Sequence, residues 1–312
     1  MKKTKQLTEG AILIALYIII LLLFLYIPLI GILVLFLLPL PFIIYTIRNG
    51  LKNSIIFFIA ALVVSFIIGT LMALPMTFMF GSSGIVLGYL IEKQKGRYAL
   101  LLGGTVAFLL NIALLYIITV SLLNINLMEE TITMTRETLE TSNELLTLVG
   151  QESNEQALKQ FEDAMKIFPY LLPSTFLMIA FIFSFFTQLF SIPFLKRLKV
   201  TIESWPPFRE LRLPRSLLWY YLIVMLLMFI EFEVGTFGYT AVINLFYILQ
   251  LLMMVQGFSF VFYYCFQKGI SKAVPILILV FSLFIPILLY IIRILGIIDL
   301  GFQMRDKIAP KK

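Results

Sequence analysis

Nine stretches of the chain are long and apolar enough to cross a lipid bilayer, and this limits the possible folds more than any other feature. They cover residues 10–27, 29–47, 51–74, 76–91, 99–123, 169–195, 216–234, 239–266 and 273–297. A helix needs about 20 apolar residues to cross a hydrocarbon layer roughly 30 Å thick. Inside that layer every backbone N–H and C=O must be bonded within the protein, which leaves helices and closed barrels. Barrel strands alternate apolar and polar side chains, and these runs do not. The chain therefore reads as an all-α polytopic membrane protein of about nine transmembrane helices, with eight as the alternative. Its 61% hydrophobic and 13% charged residues agree, since a soluble domain has roughly 45–50% and about 25%.

Lysine and arginine in short loops set orientation. With the N-terminus inside, Lys2, Lys3, Lys5, Arg48, Lys52, Lys93, Lys95, Arg97, Lys196, Arg197, Lys199, Arg209, Arg212, Arg215, Lys268 and Lys272 all fall on the cytoplasmic side. This predicts a multi-pass protein of the bacterial plasma membrane with a cytoplasmic N-terminus. The basic tail, with Arg305, Lys307, Lys311 and Lys312, disagrees, because nine crossings would put it outside. Either the short fourth run is re-entrant, or a long C-terminal run is misread, or the tail tolerates the outer side.

Two polar interruptions divide the chain. Residues 124–168 carry nine acidic against three basic residues, which suits the outer face. Apolar residues there recur at helical spacing in two blocks broken at Gly150, predicting two amphipathic helices. Residues 196–215 are basic and contain Trp205-Pro206-Pro207-Phe208 and Leu211-Arg212-Leu213-Pro214, a proline density that forbids a continuous helix. The expected organisation is a membrane unit at 1–195 with its outer acidic loop, a basic Pro-rich cytoplasmic linker at 196–215, a second membrane unit at 216–297 and a basic tail at 298–312.

Chemistry is thinly supported. The chain has no histidine and one cysteine, Cys265, and it lacks a phosphate loop, a metal-ligand cluster and a histidine-containing triad. This predicts a protein that is not an enzyme, with no cofactor, no metal and no nucleic acid among its partners. Polar residues inside apolar runs are costly in hydrocarbon and so point to protein or to a cavity. Asn111 in the fifth run, Glu231 and Glu233 near the outer end of the seventh and Asn244 at the outer end of the eighth are candidate ligands for a cation or an amine-bearing solute. Arg293, in the last run, is expected to pair with a carboxylate or to reach for headgroups. Small residues at helical spacing, Ala11-x-x-x-Ala15, Ser65-x-x-x-Gly69-x-x-x-Ala73 and Gly84-x-x-x-Gly88, predict close helix packing.

The N-terminal half resembles the S component of energy-coupling-factor (ECF) vitamin transporters. The resemblance rests on the first-helix sequence from Leu7 to Leu16, the six-span layout, the Gly/Ser-rich turn into Gly84 and Gly88, and the basic cap from Glu92 to Arg97. It implies that Ala11 and Ala15 face an ECF-type coupling protein with its ATPases, and that the chain binds an unknown small solute among membrane lipids. The long outer loop and the three extra helices depart from that pattern. Over nearly its full length the chain is similar to the YybS-like family of Gram-positive membrane proteins, which implies no particular activity. The rival expectation is a membrane interaction or scaffold protein that uses the acidic loop and the basic linker.

Overall fold

The computed structural model describes residues 2–122, 127–148 and 155–308. Every regular element among them is a helix: α1 (Lys2–Tyr26), α2 (Pro28–Val34), α3 (Leu40–Glu92), α4 (Arg97–Leu122), α5 (Leu127–Leu148), α6 (Glu155–Ile167), α7 (Leu172–Arg197), α8 (Ser216–Leu227), α9 (Phe237–Gln267), α10 (Ala273–Phe284), α11 (Pro286–Phe302) and α12 (Met304–Ile308), with three short 3-10 turns. Six described helical segments are long and apolar enough to cross a membrane, and α8 and α10 are shorter apolar helices. The chain is an all-α polytopic membrane protein. It divides into two compact units, one of Met1–Met165 and Thr175–Ser204, the other of Lys166–Ser174 and Trp205–Lys312.

In the first unit the second run is bent, as its prolines predict: α2 passes through a 3-10 turn at Leu35–Leu37 before α3 begins after Pro39. α3 is interrupted at Gly50 (φ 74°) and Thr70 (φ 60°). Gly50 takes this left-handed backbone without a Cβ penalty, whereas Thr70 is a strained exception. The boundary between the runs at 51–74 and 76–91 thus falls at Thr70. The Gly/Ser-rich turn expected before Gly84 is instead helix: Ser82 donates to Phe78 O, 2.7 Å away in the same helix, and Gly81, Gly84 and Gly88 pack against neighbouring chain. A methyl group at Gly84 would come within 2.7 Å of the Pro39 carbonyl oxygen, and one at Gly88 within 2.9 Å of that of Ile43. The small-residue stripe therefore packs α3 on its own beginning, where close backbone approach supplies dispersion contact that lipid cannot. α1 is fastened to the same core by Tyr17, fully buried, whose hydroxyl donates to Thr77 Oγ1 at 2.8 Å. The outer segments expected to be amphipathic helices are helical as α5 and α6, and the expected break at Gly150 lies outside the described residues.

The second unit is built around α9. α11 crosses it at two glycines: a methyl at Gly257 would meet Ile292 O at 1.9 Å, and one at Gly296 would meet Met253 O at 2.0 Å. Any larger residue would force the two backbones apart. The run expected to be one crossing at 273–297 is two helices, because Ile285 is extended (φ −118°, ψ 97°) and Pro286 opens α11. At 12 residues, α10 is about 18 Å long, short of the hydrocarbon thickness. The linker lies along the C-terminal half of α9, with the Phe208 and Phe262 rings 5.4 Å apart and the Arg209 guanidinium 3.8 Å from the Phe266 ring centre. Arg305 and Asp306 bond to Arg209 O and to the Arg212 side chain. Within this unit, then, α10 and α11 leave from and return to the end of α9 that carries the linker. Of the three ways to reconcile the basic tail, this geometry supports a misread C-terminal run.

In a Cys265→Ala background, Lys307→Cys and Lys268→Cys should react with a membrane-impermeant thiol reagent from the same side, and Gly235→Cys from the opposite side. Labelling of positions 307 and 268 from opposite sides would contradict the hairpin.

Candidate functional site

Two places in the second unit bring polar chemistry together. The first is a buried ionic cluster between α9, α11, α12 and the linker. Prolines 206, 207 and 214 keep the linker out of helix, so its backbone groups need partners from elsewhere. α9 provides them from a polar stripe on an otherwise apolar helix: Gln256 Oε1 accepts from Leu213 N at 2.9 Å, and Ser259 Oγ lies 2.7 Å from Phe208 O and 2.9 Å from Leu211 O, to which it donates. α11 ends at Gln303 in the left-handed region (φ 52°), which turns α12 back so that Arg305 meets Asp299. Arg305 is 2% exposed and Asp299 5%. The guanidinium donates to Asp299 Oδ2 at 2.8 Å, to Arg209 O at 2.8 Å and to Ser259 Oγ at 3.1 Å, while Gln256 Nε2 also donates to Asp299 Oδ2. With charge and donors so matched, the cluster holds the linker and tail in one place. Around it lies a small cavity of about 70 Å³ edged by Arg212, Arg215 and Asp306.

The second place is at the other end of α9. α8 stops at Leu227, so Glu231 and Glu233, expected near the outer end of a helical run, lie in the turn that follows it, and both are exposed. Glu231 lines a cavity of about 360 Å³ with Phe232, Tyr239, Phe246 and Tyr247. Neither Glu233 nor Asn244 is part of that lining. Asn244 is buried and has its amide engaged: Nδ2 donates to Tyr170 O (2.6 Å) and Thr240 O (2.7 Å), and Oδ1 accepts from Ser174 N (2.8 Å). It staples residues 170–174 to α9. Asn111, in the first unit, is similarly engaged, donating to Ala107 O (2.8 Å) and Ser83 Oγ (3.3 Å) and accepting from Ser82 Oγ (3.0 Å). Ala11 and Ala15 are exposed on α1. Arg293 stacks on Tyr290, 4.8 Å from the ring centre. Among the described residues no three His, Cys, Asp or Glu stand together as a metal site.

Sequence reasoning missed the Arg305 cluster. Arg305 reads as one more basic residue of the tail and Asp299 as a residue at a membrane end. The usable signal was the stripe Gln256, Ser259 and Tyr263 on one face of an apolar helix, which needs a polar partner to face.

Helices of bilayer length, a buried ionic cluster tying an inter-unit linker to the tail, and aromatic and basic residues at helix ends define the class as a multi-pass helical membrane protein. The chain belongs to the family described as predicted membrane protein (DUF2232), which it matches over residues 15–300. It is similar to the uncharacterized protein YybS of Bacillus subtilis (strain 168), 38% identical over 309 residues that cover 99% of this chain and 100% of that protein. No solved structure matches the chain.

Removing one partner of a buried ion pair leaves an uncompensated charge and costs about 3–5 kcal/mol. Asp299→Asn and Arg305→Met should each lower the thermal stability of the detergent-purified protein by that order. The double variant Asp299→Leu with Arg305→Met should recover part of the loss, as read by thermal denaturation followed by size-exclusion chromatography.

Proposed function

We propose that the protein is a binding module of the bacterial plasma membrane, oriented with its N-terminus inside, which docks a second membrane protein through α1 and serves uptake of a small solute in the manner of an S component. The observation that carries this reading is the free face of α1. Ala11 and Ala15 are exposed together with Ile12 and Ile19, while the opposite face, with Leu13, Tyr17, Ile20 and Leu21, is buried in the unit's core. Small residues on a lipid-side face allow another helix to approach closely. A cavity of about 720 Å³ continues that face toward the N-terminus, between Thr4, Thr8, Ile12 and the ion pair of Glu9 with Arg48. In this reading an ECF-type coupling protein occupies the face and no catalysis is involved.

A second reading, a non-transporting scaffold that presents the acidic loop at 124–168 and the linker at 196–215, is favoured by one observation. Asn111 and Asn244, two of the polar residues best placed to bind solute, are engaged in internal hydrogen bonds. Deleting residues 128–165 separates the two, since a scaffold loses its partner and a solute-binding module retains binding among its helices.

Ala11→Trp with Ala15→Trp should abolish copurification with the partner from native membranes while leaving expression and monodispersity unchanged. Recovery of the same partner with the double variant, or of no membrane partner with the parent protein, would overturn the docking reading.

A further inference from the structure

We infer that the aromatic cavity at the head of α9 binds an organic ammonium group, held by Glu231. The site lies wholly in the second unit and stands whether or not α1 docks a partner.

The walls are preformed. Gly235, at φ +93°, turns the chain back after α8, and Gly238 has no side chain, so the Phe232 ring can sit where a methyl group would be only 2.9 Å from it. Tyr239 is fixed edge-on to Tyr170 with ring centres 5.4 Å apart, and Phe246 stacks on Tyr221 at 6.1 Å. Asn244 holds residues 170–174 against the same helix, close in sequence to Ile167, which closes the cavity. At about 360 Å³ the space falls in the range of sites for small organic molecules.

The chemistry of the lining selects the class of occupant. Four aromatic rings, each with a negative π face, and one carboxylate with a formal negative charge line the space. No lysine or arginine occurs between Arg215 and Lys268, so neither α8, the turn nor α9 supplies a cation to neutralise Glu231. Lys166, which adjoins the lining Ile167, has an interaction of its own. An anion would be repelled by Glu231, and by Glu233 nearby in the turn. A bare metal ion would want several oxygen ligands and find one carboxylate. A neutral apolar molecule would match the rings but leave the charge of Glu231 unmatched. An alkylated ammonium matches both parts, with its charge on Glu231 and its methyl groups on the ring faces. A free solute and a lipid headgroup both offer this group.

The test uses the full-length protein in nanodiscs of phosphatidylglycerol, with choline as the soluble probe measured by equilibrium dialysis. Its neutral carbon isostere, 3,3-dimethylbutan-1-ol, serves as competitor. Choline should bind saturably and the isostere should not displace it. Glu231→Gln and Tyr247→Leu should each weaken binding about tenfold or more, and Glu233→Gln, outside the lining, should change it by less than about twofold. A second arm adds phosphatidylcholine to the discs and measures by mass spectrometry how much stays with the protein on exchange into phosphatidylglycerol. Retention that depends on Glu231, without choline binding, identifies the lipid headgroup as the source. Displacement of choline by the neutral isostere, or the absence of any Glu231-dependent binding in both arms, overturns the proposal.

Discussion

Burial of the Arg305 guanidinium is the constraint on which the second unit depends. An unpaired charge in a low-dielectric interior is too costly to keep, so Asp299, Gln256, Ser259 and the Arg209 carbonyl must all be in place around it. Each of these fixes something larger. Asp299 requires α11 to cross α9 closely, which Gly257 and Gly296 permit. The Arg209 carbonyl and the Ser259 hydroxyl require the proline-rich linker to lie against α9. The position of Arg305 itself requires the left-handed turn at Gln303. Linker, hairpin and tail are therefore one coupled device, and the breaking of any member exposes the others.

The first unit is held by weaker but better distributed contacts. Tyr17 with Thr77 and Asn111 with Ser82 and Ser83 place single neutral hydrogen bonds between closely packed helices. These are modest interactions in a membrane setting, about 0.6–2 kcal/mol each. The glycine contacts of α3 add shape matching. Among the described residues, the outward face of α1 and the cavity that combines the Glu231 carboxylate with aromatic walls are two features open to function.

Much of the fold was legible because hydropathy reports on the solvent, and the solvent here is lipid. The apolar runs, the bend at Pro39, the helices of the outer loop and the Gly84–Gly88 packing all follow from local sequence. What was not legible depends on partners distant in the chain. Gly257 and Gly296 form no stripe in either helix, and only their crossing gives them meaning. Arg305 carries no mark that distinguishes a buried guanidinium from a solvated one. Asn111 and Asn244 read as candidate ligands because a polar residue in hydrocarbon has function as its default reading, yet whether its amide faces solute or a backbone carbonyl is decided by a neighbouring helix. Of the candidate site, Glu231 could be picked from sequence, but not the rings around it, because Phe and Tyr are too frequent in this chain to stand out.

The central claim is that linker and tail lie together at one end of α9. It is tested most directly by Arg212→Cys with Asp306→Cys in a Cys265→Ala background, at a pair whose native side chains meet at 2.9 Å. After treatment with a short bifunctional thiol reagent and proteolytic cleavage within residues 268–272, the two fragments should remain covalently joined. Fragments that separate as fully as those of the single-cysteine controls would contradict it.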